Sequence, residues 1–281
     1  GRVAILNEEL GTTEDLYMPS RVQGLLISPD DELIILGTSD GDLALFYCLE
    51  NKLLVMQSGM SGVQAMIMLQ DGRFLSGHLD GSIRLWSKEG ELLQLVAELG
   101  SLVISIAWNE SRDLIAAGLV DGSVFLIDLN EKKPLLINRH SGKIFGVIFT
   151  DDNTLASAGG KTVNFWDVET GEDLGSFIRV EESPVGLAVV DDLLVISHES
   201  GSLTTRSLTD LELIDTLRGH DGDVWGVASV SEHQALTVGQ DGTVRWWEIG
   251  HPPISTISVQ ARLPASDTTF IDADRVAIVS N

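Results

Sequence analysis

The sequence predicts an all-β fold assembled from repeated four-stranded antiparallel sheets, and three observations predict it. Asp-Gly dipeptides recur at Asp40-Gly41, Asp80-Gly81, Asp121-Gly122 and Asp241-Gly242, each ahead of a short alternating apolar run. Two weaker copies, Gly160-Lys161 and Ser200-Gly201, fill the gap, so the turn positions 41, 81, 122, 161, 201 and 242 fall 39 to 41 residues apart. No stretch shows the apolar spacing of an amphipathic helix. Self-similarity at a period near 40 is the signature of a repeat architecture.

Each period holds four apolar runs of five to seven residues separated by Gly, Asp, Asn and Ser. Such runs read as short strands, here a to d, and Asp-Gly supplies the positive φ that a tight hairpin needs. Strand a is expected at 21–27, 63–69, 102–108, 144–149, 184–190, 224–229 and about 266–271. Strand c follows each turn position, at 42–47, 82–86, 123–127, 162–167, 202–205 and 243–247. One period back from Gly41 lies Gly1, ahead of Arg2-Val-Ala-Ile-Leu6, and one period on from Gly242 falls just past Asn281. The chain therefore counts as seven periods and begins inside one. The last is expected to take two strands from about 266–281 and two from 1–18, making 1–281 a single domain whose ends pair.

Composition bounds the function. With 43% hydrophobic and 21% charged residues, the chain has the make-up of a packed globular protein rather than a disordered one. No apolar run approaches the ~18 residues of a membrane-spanning helix, so no membrane partner is expected. The 42 Asp and Glu against 18 Lys and Arg give a formal charge of −24. That field repels phosphate backbones, and the longest basic run is Lys132-Lys133, so no nucleic-acid partner is expected. A single cysteine, Cys48, excludes an internal disulfide and suits a reducing, cytoplasmic compartment. The absence of an initial Met suggests a piece of a longer chain.

The same residues resemble the WD40-repeat family over essentially the whole length. The family's marks are Gly-His before strand a, Asp-Gly between b and c, and Trp-Asp closing c. The fullest copy is Gly219-His220, Asp241-Gly242 and Trp247-Glu248; Arg139-His140 with Trp166-Asp167 is a second, and Asp80-Gly81 with Trp86 a third. The resemblance implies a seven-bladed β-propeller, its ring closed by pairing N-terminal with C-terminal strands. Radial packing would bury both faces of each blade against neighbours.

His220, Thr237, Asp241 and Trp247 invite comparison with a hydrolytic His-Asp-hydroxyl set. The family pattern implies instead a structural tetrad within one blade, in which Asp orients His and the hydroxyl bridges to the indole. Fragments recur elsewhere, as Ser76-Asp80-Trp86 without a His and His140-Ser157-Trp166 without an Asp. A catalytic site would not recur in pieces. Acidic pairs such as Asp30-Asp31, Asp151-Asp152 and Asp191-Asp192 share one address, the a–b hairpin, where Asp bonds its own backbone. With Glu32, Glu50, Glu89, Asp113, Glu172, Asp173, Asp210 and Glu212 they are expected to make one face strongly negative. Neither a calcium loop nor a His-x-x-x-His zinc pair occurs, so no metal and no cofactor are expected.

These readings predict a non-enzymatic platform for a protein or peptide, serving as a scaffold or as the sensor domain of a longer signalling chain. Other domains of that chain are candidate partners. The alternative is a propeller enzyme, of hydrolase or lyase type, with a site at the central channel. Each strand a opens on an apolar residue, a second side chain and, in most copies, a small residue. The resemblance implies docking on the top face, where the middle one points: Gln23, Gln64, Ile104, Phe145, Val185 and Trp225, bordered by Arg21, Lys143 and Asp223. Blades 3 to 6 would present an apolar arc, and a contiguous exposed apolar patch marks an interaction site.

Overall fold

The computed structural model describes residues 2–7, 13–30, 32–56, 60–131, 133–250, 256–259, 265–272 and 275–280. Asp31 and Lys132 lie outside these residues. The described chain is all-β apart from a single 3-10 turn at Glu110–Arg112, and its strands form four-stranded antiparallel blades of the propeller type.

Two strands, β1 (Arg2–Asn7) and β2 (Thr13–Tyr17), open the chain. Blade 1 follows, as β3 (Val22–Ile27), β4 (Leu33–Thr38), β5 (Leu43–Tyr47) and β6 (Lys52–Met56). Blade 2 is β7 (Val63–Met68), β8 (Phe74–His78), β9 (Ser82–Trp86) and β10 (Leu92–Glu98). Blade 3 is β11 (Val103–Asn109), β12 (Leu114–Leu119), β13 (Ser123–Asp128) and β14 (Pro134–Arg139). Blade 4 is β15 (Ile144–Phe149), β16 (Thr154–Gly159), β17 (Thr162–Asp167) and β18 (Asp173–Arg179). Blade 5 is β19 (Pro184–Val190), β20 (Leu193–His198), β21 (Ser202–Ser207) and β22 (Leu213–Arg218). Blade 6 is β23 (Val224–Ser231), β24 (Gln234–Gly239), β25 (Val244–Glu248) and β26 (Thr256–Val259). The chain closes with β27 (Ala265–Asp272) and β28 (Arg275–Ser280).

The expected seven periods thus resolve as six blades, each cut from one continuous stretch. What the sequence counts as the seventh period is a composite sheet in the order β2-β1-β28-β27, with Arg2 paired to Ser280 and Asn7 to Arg275. The chain divides into two compact units, residues 1–144 with 267–281, and residues 145–266.

Burial explains why the strands read as apolar runs rather than clean alternations. A sheet covered on both faces needs apolar residues at consecutive positions. In β4 all six residues are buried. Ile34 and Leu36 join Val3, Leu16 and Val22 in one core, while Leu33 and Ile35 join Val63, Phe74 and Trp86 in another. Blades 2 and 3 share a third, from Leu75 and Ile83 to Ile115 and Ala117. In the second unit, Phe165 and Ile178 meet Leu194 and Ile196, and Val195 and Leu203 meet Val224 and Trp247.

The turn glycines answer to geometry as well as to φ. At Gly122 φ is +87°, and a Cβ would lie 2.4 Å from the His140 carbonyl oxygen; at Gly201 φ is +85°, with the His220 oxygen 2.3 Å away. A main-chain bond ties the Gly122 turn to the loop before the next strand a, from the His140 amide to the Gly122 carbonyl at 2.8 Å.

Candidate functional site

Two sets of residues were singled out from sequence, and they lie at different depths. The buried set is built on β24 and β25 and on the loop before β23. Trp247 Nε1, which can only donate, is 2.6 Å from Thr237 Oγ1. The Thr237 hydroxyl proton is therefore directed to His220 Nε2, at 2.7 Å. That leaves the imidazole proton on Nδ1, facing Asp241 Oδ1 at 3.0 Å. All four residues predicted as a tetrad are brought into one chain of hydrogen bonds, and the imidazole side chain is 0% exposed.

Two members of this network were not anticipated. Thr243 donates both its amide and its hydroxyl to Asp241 Oδ1, at 3.0 and 2.7 Å. Arg245 reaches Thr243 Oγ1 with Nε at 3.1 Å and Asp241 Oδ2 with Nη2 at 3.5 Å. Burial alone would raise the Asp241 carboxyl, but the bonds from His220, from Thr243 and from the Asp221 amide outweigh it and hold the group well below the carboxylate range. Burial pushes the His220 imidazole down, and the neighbouring carboxylate only partly opposes it. The site therefore holds a neutral imidazole beside a charged Asp. An imidazole without solvent access has no route to a substrate.

Blade 2 corrects the sequence reading. Ser76 and Trp86 were expected to lack a His, yet His78, at the end of β8, occupies that role. Trp86 Nε1 donates to Ser76 Oγ at 2.7 Å, Ser76 bonds His78 Nε2 at 2.7 Å, and His78 Nδ1 donates to the Ser61 carbonyl at 2.7 Å. Asp80 instead accepts from Ser82 and Arg84. Blade 5 uses the same address: His198 ends β20 and its Nε2 lies 2.8 Å from Thr204 Oγ1. In blade 6 the corresponding last residue of β24 is Gly239, where a Cβ would stand 2.2 Å from His220 Nδ1. The imidazole enters either from the preceding loop or from strand b, and the glycine makes room for the first route. A signal was present in the sequence, since His78 and His198 each stand two residues before the turn pair. In blade 4, Trp166 Nε1 donates to Ser157 Oγ at 2.8 Å.

The shallow set sits at the opening of each strand a, and the backbone there is irregular. Val22 pairs with Thr38 and Gly24 with Gly37, which leaves Gln23 without a cross-strand partner of its own. The same one-residue shift isolates Gln64, Ile104, Val185 and Trp225. Such bulges re-aim a side chain and increase local twist. Each bulged residue is half-buried while the residue before it is buried, and Phe145 follows the same pattern. Arg21 and Lys143 are exposed, and Asp223 is half-buried with Oδ2 3.5 Å from Trp225 Nε1. In the first unit Gln23, Gln64 and Ile104 open strands β3, β7 and β11; in the second, Phe145, Val185 and Trp225 open β15, β19 and β23. The acidic turn residues are exposed, Asp31 apart, and the Asp30, Asp151 and Asp210 carboxylates accept backbone amides two residues on. Among the described residues no group of three His, Cys, Asp or Glu could hold a metal ion, and no helix is long and apolar enough to cross a membrane.

Comparison with known proteins agrees with this architecture. The family model for the WD domain, G-beta repeat (WD40) matches residues 51–87, 132–167 and 211–248. Each match runs from the outer strand of one blade through strand c of the next, so each sequence repeat overlaps two blades. The three end at or just past Trp86, Trp166 and Trp247. The chain is 28% identical over 157 residues to a 66 kDa stress protein of Physarum polycephalum, covering 53% of this chain and 26% of that one. It is 27% identical over 157 residues to the human NACHT domain- and WD repeat-containing protein 1, covering 52% and 10%. With the ribosome biogenesis protein ytm1 of Schizosaccharomyces pombe it shares 25% over 189 residues, covering 63% and 40%. The chain thus spans between a tenth and two fifths of the length of these relatives. A chain in the crystal structure of the mitotic checkpoint complex superposes with a TM-score of 0.79 at 19% identity, over 88% of this chain and 81% of that chain, a likeness of fold.

Proposed function

We propose that this chain, a WD40-repeat protein, is a non-enzymatic platform that binds a protein or peptide at the bulged openings of its first strands. The observation that carries the reading is the bulge. Five blades eject one residue from the ladder at the same address, half-exposed beside a buried neighbour. A bulge re-aims the ejected side chain away from its place in the ladder. In the second unit the ejected residues are Val185 and Trp225, with Phe145 at the matching position of blade 4, and aromatic residues dominate binding hot spots. In the first unit Ile104 is apolar as well, Gln23 and Gln64 are polar, and Arg21, Lys143 and Asp223 supply a charged border.

The His220, Thr237, Asp241 and Trp247 set is read as structural, because a buried and fully bonded network specifies blade geometry. The enzyme alternative would need an accessible acid, base or nucleophile, and this network offers a buried one. The composite sheet is read as a seventh blade that closes residues 1–281 into one domain. The small share of each relative that the chain spans favours a domain of a longer protein over a stand-alone scaffold. Its acidity argues against a nucleic-acid partner, and its lone Cys48 suits the cytoplasm.

Trp225→Ala and Phe145→Ala should each weaken partner capture by about 2 kcal/mol while leaving the melting temperature near that of the wild type. Unfolding of both variants, or a partner retained undiminished, overturns the assignment. The closure reading has a separate test. Deleting residues 1–10 strips β28 of its partner β1 and leaves one side of that strand unpaired, and an unpaired edge recruits other chains. The truncated protein should aggregate or melt well below the parent; a monomer with unchanged melting would sink the seventh blade.

A further inference from the structure

The second unit carries a groove of about 820 Å³ formed by blades 5 and 6, at the a–b and c–d turns. In blade 5, β19 runs from Val185 at the bulge to Val190 in the groove wall. Five residues of strand span ~17 Å, so the groove is separate from the partner surface proposed above. Its lining combines two chemistries. Val190, Leu193, Ile214 and Ile249 supply apolar wall, and Asp191, Asp192, Asp210 and Glu248 supply four carboxylates. Among the described residues, no Lys or Arg lines it.

Turn chemistry accounts for part of this acidity. Asp191 adopts the left-handed conformation at φ 55°, and Asp210 accepts the Glu212 amide at 3.1 Å. It does not account for Asp192 or Glu248, whose carboxylates have neither a hydrogen bond nor an ion pair among the described residues. The bonds from the Glu212 amide and the Ser207 hydroxyl keep the Asp210 carboxyl below the usual range, so it stays charged under all ordinary conditions. The four groups are too dispersed to form a metal cage among the described residues. A groove of this volume also exceeds what a single ion fills.

From this complementarity we infer that the groove binds an extended basic segment of a partner protein, in which arginine or lysine side chains alternate with apolar ones. Long cationic side chains lay aliphatic stems along apolar surface and present the charged head to a carboxylate. An arginine would meet Asp192 or Glu248 as a fork rather than as a point charge. The protein's overall negative field would speed the encounter with such a segment.

The test uses the whole chain and a fluorescein-labelled heptapeptide alternating leucine and arginine, with a citrulline peptide of equal length as its neutral counterpart. Anisotropy is read at about 0.15 M salt, where exposed charges beyond roughly 8 Å are screened. The arginine peptide should bind at least about tenfold more tightly than the citrulline peptide, a difference of ~1.4 kcal/mol. The double variant Asp192→Asn, Glu248→Gln should lose at least that factor and melt as the wild type does. Ile214→Ala should weaken binding severalfold by removing wall. Glu169→Gln with Glu172→Gln, which removes the same charge from a turn of blade 4, should change binding less than about twofold, as should Trp225→Ala. Equal losses from both acidic pairs would reduce the effect to net charge and overturn the proposal. Displacement of the peptide by an equal concentration of spermine would replace the peptide segment with a free polyamine and overturn it too.

Discussion

Blades 2 and 6 solve one problem in two ways. Each must satisfy a buried indole N–H and a buried hydroxyl, and each does so with an imidazole. In blade 6 His220 arrives from the loop before strand a, and its outer nitrogen meets the Asp241 carboxylate at 3.0 Å. In blade 2 His78 arrives from the end of strand b, and its outer nitrogen meets the Ser61 carbonyl at 2.7 Å. The two routes exclude one another, since the last residue of strand b must be glycine where the loop supplies the ring. The position of the ring is kept, and the residue number that supplies it is not. A motif search that demands His ahead of strand a therefore misses networks such as that of blade 2.

The comparison breaks most readily at Gly239. Gly239→Val places side-chain carbon where the His220 ring stands, 2.2 Å from the nearest ring atom for Cβ alone. Overpacking of this kind costs about 3 kcal/mol, read as a shift in the urea midpoint. A variant within about half a kcal/mol of wild type would show that the ring does not need the space.

Next come the rings themselves. His220→Ala should cost about 2–3 kcal/mol, because it strands a buried hydroxyl and a partly buried carboxylate. His78→Ala should cost about 1–2 kcal/mol, since it strands only neutral groups. Asp241→Ala and His220→Ala should combine to less than their sum, because both act on one network. Equal costs in the two blades, or strict additivity in blade 6, would show that the carboxylate adds nothing to the loop route.

Acidity should separate the blades least. Burial holds the imidazoles of His78, His198 and His220 below the ordinary value of 6.5, so the unfolded chain takes up protons first as pH falls. Their contribution is complete above about pH 6.5 and declines below it. The Asp241 carboxyl is likewise depressed, so its contribution is complete above its unfolded value of 3.8 and is lost only at still lower pH. Melting temperature should fall gently from pH 7 to pH 5, and His220→Gln should flatten that slope. A steeper loss in the variant would mean that the ring is charged in the folded state.

Much of this molecule is legible in its sequence because the repeat is written in turn chemistry. Glycine at positions 41, 81, 122, 201 and 242 marks hairpins that positive φ requires, and all seven strand-a positions follow to within about two residues. The tetrad of blade 6 is legible too, since its members fall one to a strand or turn. The bulges are not, because a register shift depends on the cross-strand partner and leaves only a small residue, such as Gly24 or Ala65, as its trace. Thr243 and Arg245 are hidden for a related reason: nothing local distinguishes a strand residue aimed at Asp241 from one aimed elsewhere. The groove of blades 5 and 6 joins residues from Val190 to Gly250, and its unbonded carboxylates look like ordinary turn residues until the turns are placed side by side.

The composite sheet has a consequence for the order in which the molecule assembles. Six blades pair strands that lie within one period of each other, and such local contacts form quickly. The β1–β28 ladder joins Arg2 to Ser280, at opposite ends of the chain. Bringing such distant segments together costs ~0.6 kcal/mol more for each doubling of the loop, or roughly 1.7 kcal/mol beyond a contact made within one repeat. The blades cut from continuous chain would shorten that loop as they form, so the ends meet last. During synthesis, strands β1 and β2 emerge ahead of all six continuous blades and must wait for residues 265–280 before they find the strands that complete them.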